Sequence, residues 1–188
     1  MVLSDLIGAP QLAALAVLIQ RGGEELYSAR NTQRLRAAGA HEAGGVYYPV
    51  VAATHLAWIA SLAFLVSPQA PIIWPLLAYY LALQVARYWV IASLGPFWTH
   101  RILTLPGASL VRRGPYRYVS HPNYAVTIVE TFVLPLAFGA LALAIIMTAL
   151  WWTVLNTKIA LENEALAPRR TKASATGAKL EDRVAERP

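Results

Sequence analysis

The stretch Ala43–Ala86, AGGVYYPVVAATHLAWIASLAFLVSPQAPIIWPLLAYYLALQVA, runs for 44 residues without an Asp, Glu, Lys or Arg. A helix crosses the hydrocarbon core of a bilayer in about 20 apolar residues. The stretch is therefore long enough for two crossings, and the turn Ser67-Pro68-Gln69-Ala70-Pro71 divides it, because proline breaks a helix interior. Spans are predicted over Val46–Val66 and Ile72–Leu94. The whole chain follows suit: 57% of its 188 residues are hydrophobic and 14% charged, whereas soluble domains carry about 25% charged residues. That balance excludes an ordinary soluble globule.

Working outward, Val2–Gln20 reads as a short first span, since it lacks the basic leader of a secretory signal. On the other side, Ala125–Thr157 is 33 residues interrupted by Pro135 and Gly139, which suits a hairpin of one short and one longer helix. The last helix is expected to continue through Leu166. The predicted fold is thus all-α, a polytopic membrane protein with five transmembrane helices, the last two forming a hairpin. Residues 1–168 form one membrane domain, and residues 169–188 a disordered basic tail. With five spans, fifteen of the sixteen Lys and Arg fall on one side. By the positive-inside bias this places the C-terminus in the cytoplasm and the N-terminus outside, in a bacterial inner membrane.

The chain has no cysteine, so disulfides, thiolate nucleophiles and thiolate metal sites are absent. His41, His55 and His100 complete no metal motif, and no metal is expected. The net charge of +6 lies beside apolar segments, which points to anionic membrane lipid rather than nucleic acid.

Polar chemistry concentrates in Arg112-Arg113-Gly114-Pro115-Tyr116-Arg117-Tyr118-Val119-Ser120-His121-Pro122-Asn123-Tyr124, directly before an apolar helix. Arg112, Arg113 and Tyr118 read as interfacial residues. Pro122 suits the first turn of the next helix, and His121, Asn123 and Tyr124 crowd its entrance. Glu130 shares a stripe with Asn123 and Thr127, and a carboxylate inside a span faces the bundle or a cavity. Arg87 lies seven residues before the end of the third span, about 10 Å of helix rise. It fits either a snorkelling side chain or a substrate anchor. Lys158 and Glu162 share a face four residues apart, as an exposed ion pair or as the lid of a cytoplasmic-side pocket closing on the Pro122 loop.

The ordered set Arg87-Tyr88-Trp89, Leu94-Gly95, Trp98, Leu105-Pro106-Gly107, Gly114-Pro115-Tyr116, His121-Pro122-Asn123-Tyr124, Lys158-Ile159, Glu162-Asn163 and Ala165-Leu166 resembles the isoprenylcysteine carboxyl methyltransferase family. It looks closest to the bacterial branch acting on phenolic lipids. The resemblance implies a membrane enzyme using S-adenosylmethionine on the cytoplasmic side, with a lipid tail entering from the bilayer. It assigns Tyr116, His121, Asn123, Tyr124, Glu162 and Asn163 to the cofactor. Ser120 and Lys158 stand where family members often carry Arg, and Glu162-Asn163 where the isoprenylcysteine enzymes have two Glu.

The implied reaction is methyl transfer to an oxygen of a lipophilic acceptor, with a long-chain phenol, hydroxyquinone or pyrone first. An isoprenylcysteine-type carboxylate is the alternative; a nicotinamide-dependent lipid reductase and a non-catalytic lipid-binding protein stand behind it. A phenol has a pKa near 10 and calls for a base, whereas a carboxylic acid is already ionised at neutral pH. For a phenol, His121 or Glu130 is the candidate proton acceptor, and Arg87 or Arg117 the electrostatic aid.

Overall fold

The computed structural model describes residues 6–185, with side chains described over 6–168. Five helices follow one another: α1 (Ala9–Ala37), α2 (Tyr48–Leu65), α3 (Trp74–Leu94), α4 (Pro122–Leu136) and α5 (Leu141–Ala185). A two-stranded antiparallel ribbon, β1 (His41–Ala43) with β2 (Ile102–Thr104), ties together the connections after α1 and α3. Glu42 on β1 is held there by Arg101, at 2.7 Å, and by Arg36.

At the uncharged end the backbones approach closely. A Cβ on Gly8 would run into the backbone of Pro68, so the start of α1 can abut the α2–α3 turn only as glycine. Gln11 seals that contact: its Nε2 donates to the carbonyls of Ala63 (3.0 Å) and Val66 (2.9 Å), and its Oε1 accepts from Gly8 N–H. The Ile73 N–H donates to Ala137 O at 2.8 Å, which joins the end of α4 to the start of α3. Between these ends Ala14, Val17, Trp58, Leu62, Tyr80, Leu134, Phe138 and Met147 form the main core. Trp151, Val154 and Leu155 of α5 form a second cluster with Val51 of α2. Outward, Leu15, Ile19, Leu56, Phe64, Leu81, Val85, Ile146 and Trp152 are exposed, an apolar belt suited to acyl chains. In lipid the core contributes through close packing rather than through escape from water.

The expectation of five spans is overturned. Among the described residues three helices are long and apolar enough to cross a membrane: Gly45–Leu65, Trp74–Phe97 and Leu141–Pro168. The apolar part of α1 stops at Gln20, and Arg21, Glu24 and Glu25 continue the same helix. The other shortfall is α4, whose 15 residues rise about 22 Å against a hydrocarbon core of about 30 Å, and which carries Glu130. Charge neutralisation inside the bundle makes both helices acceptable there, as described below. The charge count that placed the N-terminus outside and the C-terminus inside presupposed five spans. The fold by itself identifies neither a cytoplasmic face nor a cofactor site. The backbone of α5 is helical to Ala185, while the tail expected over 169–188 lies outside the described side chains.

Candidate functional site

Three local features build the site at the charged end. Gly114 has φ +56°, and a Cβ on it would strike Ser93 Oγ; only glycine fits the left-handed turn against α3. Arg113 Nε donates to Ser93 O at 2.7 Å and fixes that turn, so the 3-10 segment Gly114–Arg117 presents Tyr116 inward. His121 then precedes Pro122 at the first position of α4, and its carbonyl accepts from Tyr124 N–H at 3.2 Å.

On this helix start the His121 and Tyr124 rings stack, with centroids 5.4 Å apart and planes at 11°. From α5, Glu162 accepts a hydrogen bond from Tyr124 OH, and its Oε2 lies 3.7 Å from His121 Nδ1. Asn163 Oδ1 lies 3.1 Å from His121 Nε2. Lys158, one turn earlier, donates from Nζ to His100 O at 3.0 Å and lies 5.3 Å from the Tyr124 ring. Burial, with the Glu162 carboxylate nearby, pushes the Tyr116 phenol above its ordinary pKa, so it stays a neutral hydroxyl.

These residues line a cavity of about 400 Å³ that includes Tyr116, His121, Asn123, Tyr124, Lys158 and Glu162, within the range of small-molecule sites. A second cavity of about 250 Å³ lies between α1, α2 and α5, walled by Leu18, Val51, Leu56, Ile59, Trp151 and Leu155. The two share four residues: His100, Asn123, Tyr124 and Lys158. Asn123 Oδ1 is buried there without a protein partner, and an unpaired buried acceptor is costly unless something donates to it.

Arg87 and Glu130 sit apart from this wall, in a buried network. Arg87 donates to both oxygens of Glu24, at 2.7 and 2.6 Å, and to Thr127 Oγ1 and Glu130 Oε2, each at 3.3 Å. Arg21 bridges Glu24 (2.9 Å) and Glu130 (2.7 Å), and Gln84 donates to the other Glu130 oxygen at 3.0 Å. Two guanidiniums and two carboxylates cancel one another, which is how a bundle tolerates charge at depth. Arg87 lines the second cavity with four of its five N–H donors engaged; Glu130 lines neither cavity. Arg117 stays outside as well, with its guanidinium 5.9 Å from the Tyr118 ring.

Sequence reasoning overlooked His100. Its backbone N–H donates to Ser28 Oγ at 2.8 Å, and its Nδ1 lies 2.6 Å from Glu25 Oε2, so α1 holds the imidazole at the junction of the cavities. Burial lowers the His100 pKa, while the His100 hydrogen bond holds Glu25 below the usual carboxylate range. The pair is therefore a neutral imidazole donating Nδ1–H to a carboxylate, which leaves Nε2 as an acceptor. Only the long-range fold joins these residues, 75 positions apart. Of the two readings of the Lys158–Glu162 face, the exposed ion pair does not form, because Glu162 turns to Tyr124 and Lys158 to the His100 carbonyl.

Residues 76–168 match the model of the isoprenylcysteine carboxyl methyltransferase (ICMT) family. The uncharacterized protein YpbQ of Bacillus subtilis (strain 168) is 34% identical over 154 residues, 80% of this chain and 92% of that protein. No solved structure matches the chain. The family's description is of carboxyl methylation, which agrees with the isoprenylcysteine-type alternative better than with a long-chain phenol, hydroxyquinone or pyrone, and no likeness to a phenolic-lipid branch is found. The chain belongs to the isoprenylcysteine carboxyl methyltransferase family and is a membrane-embedded, S-adenosylmethionine-dependent methyltransferase.

Proposed function

We propose that the larger cavity receives S-adenosylmethionine, that the smaller one receives the apolar tail of the acceptor, and that transfer occurs at the four residues the cavities share. The meeting of the two cavities at His100, Asn123, Tyr124 and Lys158 is the observation that carries this reading. When bound, the cofactor supplies an electrophilic methyl group on a sulfonium.

The chain's own residues suit such a guest. The stacked His121–Tyr124 pair offers aromatic faces to a cation. Glu162, fixed by Tyr124, offers a carboxylate to hydroxyl or ammonium groups, and the orphan Asn123 Oδ1 accepts one more donor. Leu18, Val51, Leu56 and Ile59 supply an apolar bed for a single chain, and the exposed Leu18 and Leu56 continue it to the bilayer. Holding two reactants in line within a dry site supplies much of the acceleration in a reaction of this kind.

For the acceptor oxygen we take a carboxylate first, because it arrives ionised and needs no base. Support comes from the family's description and from the inaccessibility of Glu130, whose two oxygens are engaged by Arg21, Arg87 and Gln84. A hydroxyl acceptor is the second reading. One observation favours it: His100, oriented by Glu25, lines both cavities and keeps Nε2 as an acceptor.

The test reconstitutes the protein in lipid vesicles with methyl-labelled S-adenosylmethionine and two acceptors, an S-prenyl N-acetylcysteine and a long-chain alkylresorcinol. A carboxyl methyl ester releases its label in alkali, and an aryl methyl ether does not. Alkali-labile label on the prenylcysteine is expected. Alkali-stable label on the resorcinol alone would transfer the assignment to the hydroxyl reading, and no transfer to either would count against both.

A further inference from the structure

We propose that the smaller cavity selects acceptor lipids whose tail carries a neutral oxygen, as a ketone or a hydroxyl, part-way along its length, and that His55 on α2 with Arg21 on α1 forms the subsite for that oxygen. The inference deepens the function proposed above and rests on its placing of the tail in this cavity.

Beside its aliphatic residues, the smaller cavity is lined by His55 and Arg21. The His55 ring packs on Trp151 and Trp58, with centroids 4.5 and 6.3 Å away, and among the described residues its nitrogens find no hydrogen-bond partner. Arg21 is 8% exposed; its terminal nitrogens bind Glu24 and Glu130, while its Nε is buried and unpaired. The indole N–H groups of Trp58 and Trp151 are likewise buried without an acceptor. A neutral imidazole carries one N–H donor of its own. Donors thus gather here with nothing to receive them, and a buried donor left unpaired is costly.

Helix rise puts the two lining residues at a similar depth. From the contact of Gln11 with Ala63, Arg21 lies about 15 Å along α1 and His55 about 12 Å back along α2. On α5, Trp151 stands about 10 Å of rise below Lys158, which marks the junction of the cavities. A tail whose headgroup lies at the junction therefore passes His55 about 10 Å further in.

The chemistry of the guest follows from what is unpaired. Arg21 and Arg87 are already balanced by Glu24 and Glu130, so a second anion at this depth would have no counter-charge. A plain hydrocarbon would leave every donor as it is. A ketone or hydroxyl oxygen accepts from His55 and Arg21 without adding charge.

Calorimetry on the full chain in lipid nanodiscs compares S-tetradecyl N-acetylcysteine with its S-(4-oxotetradecyl) counterpart, whose ketone falls at this distance from the carboxylate. Wild type is expected to bind the 4-oxo chain about tenfold tighter than the plain one, and the 12-oxo isomer no tighter. His55→Leu should bring the 4-oxo and plain chains within about twofold of each other, and His55→Asn, which keeps a donor, should retain part of the preference. S-adenosylmethionine binding, placed in the other cavity, is the folding check. Should His55→Leu fail it, His55→Phe makes the same comparison. Equal binding of 4-oxo and plain chains by wild type, an equal gain from the 12-oxo isomer, or a preference that survives in a folded His55→Leu overturns the subsite. Failure of wild type to bind any of these chains while it binds S-adenosylmethionine would instead overturn the placing of the tail in this cavity.

Discussion

Two polar clusters hang on the same short helix and are built in opposite ways. Toward the middle of α4, Glu130 and Thr127 join Arg21, Glu24 and Arg87 in a network where each charge meets its opposite within 3.3 Å. At its first turn, His121, Asn123 and Tyr124 meet Glu162 and Lys158 around open space, with an orphan amide oxygen in the wall. In the closed cluster the two guanidiniums and two carboxylates balance one another, with only Arg21 Nε left unpaired. The open one encloses a cavity with an unpaired acceptor, Asn123 Oδ1, and it is there that we place the chemistry. Burial alone would point to the other cluster, since Arg87 and Glu130 are each 1% exposed.

The largest expected effect breaks the closed cluster. Glu130→Ala leaves Arg21 and Arg87 facing each other with one carboxylate between them, a loss of about 3 to 5 kcal/mol. Thermal unfolding in detergent would register it; an unfolding temperature equal to wild type would show that the network is not structural. Next comes a change that sharpens the acceptor question. Glu25→Gln should slow transfer to a hydroxyl acceptor by about a hundredfold, by removing the charge that keeps His100 basic, and should leave transfer to a carboxylate unchanged. Equal slowing of both reactions would assign the pair a purely structural role.

Gly114→Ala forces a Cβ into the left-handed turn beside Ser93, at an expected cost of about 1 to 3 kcal/mol. Because this turn carries Tyr116, cofactor affinity should fall together with stability, in parallel calorimetry and unfolding experiments. The smallest effect is a control at the opposite end of the bundle. Gln11→Ala removes hydrogen bonds to Ala63 and Val66 at about 1 kcal/mol each, and should not alter S-adenosylmethionine affinity. A lowered affinity would show that the two ends are coupled.

The uncharged run Ala43–Ala86 made α2 and α3 legible, because length and apolarity suffice for a helix packed in lipid. The same criterion misled at Val2–Gln20 and over α4. Whether a helix with Arg21 and Glu24, or a 15-residue helix with Glu130, can count as a span depends on partners elsewhere in the fold. Arg87 and Glu24 are 63 positions apart, and no local pattern announces their pairing. For that reason the sequence left Arg87 between a snorkelling side chain and a substrate anchor, and Glu130 between the bundle and a cavity. His121, Asn123 and Tyr124 were legible as a group because turn chemistry and the helix start confine them within four residues, while Glu162 joined them through the family resemblance, since its spacing alone fitted an ion pair with Lys158 as well. His100 was missed because its meaning comes from Glu25 on α1 and from Lys158 on α5.

The central claim is that the open cluster, not the closed one, receives the cofactor. Calorimetric titration of S-adenosylmethionine into the detergent-purified protein tests it, comparing wild type with Glu162→Gln and His121→Ala, each verified as folded. Saturable binding by wild type is expected, weakened about tenfold or more in Glu162→Gln by the loss of a hydrogen bond to a charged group. Wild-type affinity in both folded variants would contradict it.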